Sequence, residues 1–167
     1  QICARLRSAH RPLILAGTGV RLASADRQLL DLVERSGIPL ATAWTHDLID
    51  SSHPLFAGRP GSIGTRAGNF CVQSADFVLV LGSRLNIRQT GYNWNAFAEN
   101  AWVAQVDIDP AELDKPLFRP ALGVVADAGE FIAAFTAALE RQPLPDFGPW
   151  QAWCKQIGDK YGPATEH

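Results

Sequence analysis

Apolar residues in this chain gather in short unbroken runs instead of alternating with polar ones. Pro12-Leu-Ile-Leu-Ala-Gly17 is one such run, stopped by glycine. Ile38–Ala43, Asp76-Phe-Val-Leu-Val-Leu-Gly82, Trp102–Asp107 and Leu122–Ala126 are others. A strand alternates apolar and polar when one sheet face meets water, so a run that is apolar throughout predicts a strand buried on both faces. Leu55–Ala57 predicts a further, shorter strand.

Between these runs the spacing becomes helical. Ile2, Leu6 and Ala9 share one side of a helix at the start of the chain. Ser24 is placed to cap a helix through about Ser36, with Leu29, Leu30 and Val33 facing inward and Gly37 as its stop. Thr65 to Ser74 predicts another helix. Asp127, with Glu130 three residues on, forms a capping-box pattern ahead of a helix from Gly129 to about Arg141. Pro143, Pro145, Gly148 and Pro149 then interrupt the pattern. Trp150 to Tyr161 predicts a short amphipathic helix, and its stripe of Trp150, Trp153, Cys154 and Ile157 needs a surface to cover it. Strands alternating with helices predict a parallel sheet with right-handed crossovers. The expected fold is α/β and three-layered, Rossmann-like, with six parallel strands in the order 3-2-1-4-5-6.

Composition narrows the function. A length of 167 residues suits one domain. The hydrophobic share of 47% can fill a core, and the charged share of 19% lies below the usual quarter, as expected when both sheet faces are covered. A net charge of −2 with no basic patch argues against nucleic acid, and no apolar run approaches a membrane span. Cys3, Cys71 and Cys154 form no Cys-x-x-Cys, and His10, His46, His53 and His167 are scattered, so neither a disulfide framework nor a metal site is predicted. No signal peptide is visible, and a cytoplasmic location is expected. There is no methionine, even at position 1, and the chain opens inside a predicted helix, which predicts a piece of a longer polypeptide.

Ligands of a doubly wound sheet bind off the carboxyl ends of its strands. Four segments fall there. Gly17-Thr18-Gly19-Val20 reads either as a phosphate loop opening a helix or as a plain tight turn. It departs from the dinucleotide fingerprint of dehydrogenases: Leu22 stands at the third glycine position, and Ala43 and Trp44 stand where a ribose-binding acid is needed. An NAD dehydrogenase is therefore excluded. Gly82-Ser83-Arg84-Leu85-Asn86-Ile87-Arg88 carries two arginine forks suited to phosphate, or to salt bridges in a solvated loop. Asp107-Ile-Asp-Pro110 offers a carboxylate for ribose or adenine, or a helix cap at Asp109. Asp127-Ala128 reads first as a cap. No P-loop is present, and Gly61-Ser62-Ile63-Gly64 is not a nucleophile elbow. No carboxylate pair stands out as an acid/base couple.

Taken in order, Pro12-Leu-Ile-Leu-Ala-Gly-Thr-Gly19, His53-Pro-Leu55, Val72-Gln-Ser-Ala-Asp76, Gly82–Arg88 and Val106-Asp-Ile-Asp-Pro-Ala-Glu112 resemble the central domain of thiamine-diphosphate-dependent enzymes of the acetolactate synthase type. The resemblance implies that residues 1–141 are a central, FAD- or nucleotide-binding-like domain and residues 142–167 a linker towards a C-terminal domain. It implies a 2-keto acid decarboxylase or carboligase, a homodimer or homotetramer, whose outer domains bind thiamine diphosphate and magnesium. An isolated central domain is expected to be inactive, because the glutamate that activates the thiazolium belongs to the first domain. The Gly-Asp-Gly signature of the last domain has only Gly158-Asp-Lys160 as a distant echo here.

For this domain the resemblance implies an FAD site. Gly17, Thr18 and Gly19 would face the pyrophosphate, and Gly61 and Gly64 match the glycines of the middle loop. Gly82, Arg84, Asn86 and Arg88 match a Gly-x-Arg-x-Asp-x-Arg segment, and Asp107, Ile108, Asp127 and Ala128 match the adenosine end. Asn86 and Ile87 replace two acids of that pattern, Ile63 replaces a histidine, and Trp44 stands where an aliphatic residue is common. FAD, an ADP-like ligand and a purely structural pocket all stand as readings. So does a free-standing flavin- or nucleotide-binding module without catalytic activity.

Overall fold

The computed structural model describes residues 1–43, 47–116 and 118–162; Trp44, His46 and His167 lie outside them. The elements follow in the order α1 (Ile2–Arg7), β1 (Pro12–Ala16), α2 (Thr18–Leu22), α3 (Asp26–Ser36), β2 (Leu40–Thr42), β3 (Phe56–Gly58), α4 (Arg66–Ser74), β4 (Phe77–Leu81), α5 (Ile87–Thr90), a 3-10 turn (Trp94–Ala96), β5 (Trp102–Asp107), α6 (Pro110–Leu113), β6 (Leu122–Val125), α7 (Ala128–Leu139) and α8 (Gly148–Tyr161). The six strands form one parallel sheet in the order β3-β2-β1-β4-β5-β6, the order expected from the sequence.

The unbroken apolar runs have a direct cause. Side chains alternate across a strand, and here each face meets its own core. Ile14, Ala16, Leu79, Leu81, Ala104 and Val106 pack on one face with α1, α3 and α7. Leu13, Leu15, Val78, Val80 and Val103 pack on the other with Cys71 and Val72 of α4 and Trp150 and Cys154 of α8. All five residues of β1 and all five of β4 are buried.

The stripe on α8 is covered by its own domain. Trp150 is buried, and its indole N–H donates to the carbonyl oxygen of Pro12 at 2.8 Å. Trp150 and Trp153 stack with ring centroids 5.0 Å apart, and Gln151 donates to the carbonyl of Gly37 at 2.7 Å. At the start of the sheet, the Asp76 carboxylate accepts the backbone N–H groups of His10 and Arg11, each at 2.9 Å, which fastens the entry to β1 against β4.

Several boundaries differ from the sequence reading. Ser24 does not cap α3. Its N–H donates to the carbonyl of Arg21 and its φ is 54°, so it closes the short helix α2 instead, and α3 begins at Asp26 with no side-chain cap. β2 is shorter than Ile38–Ala43, and α1 stops at Arg7 although Ala9 is buried. α7 ends at Leu139, not Arg141. Gly37 ends α3 as expected, in the left-handed conformation at φ 67°. Thr65 caps α4, its hydroxyl oxygen accepting from the N–H of Gly68.

Candidate functional site

Parallel strands place all their carboxyl ends on one edge, so the four rim segments named from the sequence meet there. The middle loop, which follows β3, joins them: the N–H of Ser62 donates to the carbonyl of Arg88 at 2.8 Å.

The glycines of the rim are interlocked. Gly17 N–H donates to the Leu81 carbonyl at 2.9 Å, Gly19 N–H to the Gly82 carbonyl at 2.8 Å, and Gly82 N–H to the Val106 carbonyl at 3.0 Å. A Cβ on Gly19 would stand 2.6 Å from the Cα of Gly82, which itself has a φ of 53°. Glycine is required here first because the turns after β1 and β4 touch backbone to backbone. The amides of Gly17 and Gly19 are engaged within the fold, so those two donors are not turned to a ligand. In the middle loop Gly61 abuts the backbone of Arg88 and is held by Asn69, whose carboxamide both accepts from its N–H and donates to its carbonyl. Gly64 packs on the carbonyl of Arg59.

The turn after β4 points its side chains alternately inward and outward. Ser83 and Leu85 are buried, while Arg84, Asn86, Ile87 and Arg88 are exposed. Leu85 has a φ of 46°, a conformation costing about 1–3 kcal/mol outside glycine, and its complete burial in the core offsets this. Asn86 caps α5 by accepting from the N–H of Arg88 at 2.9 Å. Beneath the turn, Ser83 donates its hydroxyl to Gln89 Oε1 at 2.8 Å, and Gln105 on β5 donates to the carbonyl of Ser83 at 3.2 Å.

Arg84 has a defined partner. Its Nε donates to Glu112 Oε1 at 2.6 Å, and Lys115 pairs with the same carboxylate while donating to the carbonyl of Arg84. Burial works to raise the pKa of Glu112. The hydrogen bonds and charges of Lys115 and Arg84 outweigh it and hold the carboxyl below the ordinary glutamate range, so it is ionised at neutral pH.

At the end of β5, Asp107 is buried and accepts from the N–H of Asp109, while Ile108 is 70% exposed. Asp109 caps α6, accepting from Ala111 N–H at 2.9 Å. At the end of β6, Asp127 Oδ1 accepts from the N–H groups of Gly129 and Glu130, so its capping role is realised. Ala128 is buried in the first turn of α7.

Sequence reasoning passed over Gln105 and gave Glu112 no role beyond its place in a motif. The signal for Gln105 was present: one amide inside the apolar run Trp102–Asp107, at a position that is 1% exposed. Nothing local marked Glu112, because its partner Arg84 lies 28 residues away. Among the described residues no group of three or more His, Cys, Asp or Glu side chains could hold a metal ion, and no helix is long and apolar enough to cross a membrane.

A parallel six-stranded sheet in this order, covered by helices on both faces, defines a three-layered Rossmann-like α/β domain. Comparison with known proteins makes this specific. Residues 1–135 match the family described as thiamine pyrophosphate enzyme, central domain, and the chain belongs to that family, in its acetolactate synthase type. It is 43% identical over 143 residues to the sulfoacetaldehyde acetyltransferase of Rhodobacter capsulatus, covering 83% of this chain and 24% of that protein. It is 32% identical over 164 residues to the acetolactate synthase isozyme 2 large subunit of Escherichia coli, covering 97% of this chain and 28% of that protein. It is also 42% identical over 111 residues to a probable acetolactate synthase large subunit of Methanococcus aeolicus, covering 66% of this chain and 18% of that protein. The chain thus spans less than a third of the length of each of these three relatives.

Proposed function

We propose that this chain is the scaffold domain of a thiamine-diphosphate-dependent enzyme that cleaves or forms a carbon–carbon bond on a 2-keto acid, and that its carboxyl rim binds the ADP portion of FAD or a related nucleotide. The family match over residues 1–135 carries the reading. Thiamine diphosphate with magnesium supplies the reactive chemistry when bound. On this reading both belong to domains on either side of this one, in a homodimeric or homotetrameric, cytoplasmic enzyme. Residues 142–167 lead on to the C-terminal domain, and the central domain alone is inactive.

The rim has the chemistry such a ligand needs. Arg84 presents a guanidinium that is 73% exposed, on the same rim as the interlocked turns that carry Gly17, Thr18, Gly19 and Gly82. Arg88 and Asn86 lie on the same turn, Gly61 and Gly64 shape the loop beside it, and exposed Ile63 and Ile87 offer apolar surface to a flat ring. Asp107, Ile108, Asp127 and Ala128 flank the adenosine end, with Ile108 open to stack against a base. A second reading, a rim that is purely structural, draws on the Arg84–Glu112 pair, which already satisfies part of the arginine.

Thermal unfolding with and without FAD or ADP tests the site. A ligand at 100 times its Kd stabilises by about 2.7 kcal/mol, which for a domain of this size raises Tm by roughly 5–10 °C. No shift with either ligand at millimolar concentration refutes the rim site. Coding sequence on either side of Gln1 and His167 that lacks a thiamine-diphosphate domain refutes the enzyme assignment.

A further inference from the structure

We propose that Glu112 is a positioning residue for phosphate recognition by Arg84, an inference that rests on the rim being a nucleotide site. The glutamate binds one side of the guanidinium, Nε, at 2.6 Å. That contact ties the guanidinium to α6 through Nε, while the side chain as a whole stays 73% exposed. An arginine on a loop otherwise samples many rotamers, and holding it in one removes that ordering cost from ligand binding.

The holder is itself fixed. The side chain of Glu112 is 12% exposed, and Lys115 pairs with it and also donates to the backbone carbonyl of Arg84. Gln105, buried on β5, donates both to the carbonyl of Ser83 at 3.2 Å and to that of Glu112 at 3.5 Å, so one amide ties the arginine turn to the helix carrying the glutamate. Leu85, buried with a φ of 46°, anchors the other side of Arg84. A loop arginine braced by a half-buried carboxylate, a lysine, a buried amide and a strained anchor is preorganised to take a phosphate group.

The opposite role is equally definite: a carboxylate beside the arginine would compete with a phosphate. The two differ in sign. ADP titrated into the chain by calorimetry, with Glu112→Ala, Glu112→Gln, Arg84→Ala and the double variant Arg84→Ala/Glu112→Ala, separates them. Positioning predicts that Arg84→Ala weakens ADP about five- to tenfold and that Glu112→Ala weakens it several-fold. It predicts that Glu112→Gln, which keeps an acceptor for Nε, recovers part of the loss. The double variant should be no weaker than Arg84→Ala alone, because the glutamate acts through the arginine. A purely structural glutamate would instead give additive losses. Tighter ADP binding in Glu112→Ala, unchanged binding, or additivity in the double variant overturns the proposal while leaving the rim site standing. Absence of ADP binding to the wild-type chain removes the rim site and the proposal with it. Glu112→Gln, close in shape to the native residue, preserves the test if Glu112→Ala unfolds.

Discussion

Replacing Gly19 by alanine tests whether the rim glycines serve the fold before they serve any ligand. The new Cβ would lie 2.6 Å from Gly82 Cα and 3.0 Å from its carbonyl oxygen. Both are backbone atoms, so the turns after β1 and β4 must move apart. Overpacking of this kind costs about 1–3 kcal/mol. Separation also stretches the Gly19–Gly82 hydrogen bond, now 2.8 Å, adding about 0.5–1.5 kcal/mol. Against this, alanine gains roughly 1 kcal/mol over glycine within a helix. The net expectation is a loss of about 1–3 kcal/mol, or a fall in Tm of several degrees for a domain of this size. Gly158→Ala is the matched control. It lies within α8 with nothing within 4 Å of its added Cβ, and should stabilise by about 0.4–1 kcal/mol. Urea denaturation followed by circular dichroism reads both variants. If Gly19→Ala lies within 0.5 kcal/mol of the wild type, the backbone contact is not what requires glycine there, and the reasoning fails.

Other expectations follow from separate contacts. Trp150→Phe removes the indole donor to Pro12 and should cost about 1–3 kcal/mol, read by denaturant midpoint; an unchanged midpoint would mean that α8 is not part of the cooperative unit. Cys71 and Cys154 are buried, and a hydrogen bond shared with Cys71, which favours the protonated thiol, then burial, pushes Cys154 far above its ordinary value. A thiol-disulfide dye should therefore modify Cys3 alone in the native chain and all three cysteines once it is unfolded; fast native labelling of Cys154 would contradict this packing. Glu112 has a depressed carboxyl pKa, so its contribution to stability is complete above the unfolded glutamate value and fades as pH falls through the folded one. The stability gap between wild type and Glu112→Gln should accordingly be constant from pH 8 to about pH 6 and shrink below about pH 4.5; a gap that widens on acidification would reverse the sign of the argument.

Local sequence spoke clearly about the sheet. β1, β4 and β5 were legible because strands covered on both faces need apolar residues at every position, which is a local signature. The Asp127 cap and the Gly37 stop were legible for the same reason, since each acts on backbone within four residues. Among the short helices, α2 and α6 were signalled only by the turn at Gly17 and the cap at Asp109, and α5 not at all, because four or five residues carry no helical period. Ser24 misled, since a serine beside two helices can end one or begin the other, and the choice was made by hydrogen bonds back to Arg21. The aromatic stripe of α8 announced a covering surface without saying that β1 and α4 of the same domain supply it.

Sequence alone determined the class of fold, the strand order and the edge on which glycines and arginines collect, because burial patterns and crossover handedness are local or nearly so. Tertiary structure decided what those residues do there. Gly19 meets Gly82, Arg84 meets Glu112, and Gln105 reaches across to both, through contacts spanning from 7 to more than 60 residues of chain. Such pairings exist only once the parallel strands bring their carboxyl ends to one rim, and no periodicity in the sequence encodes them.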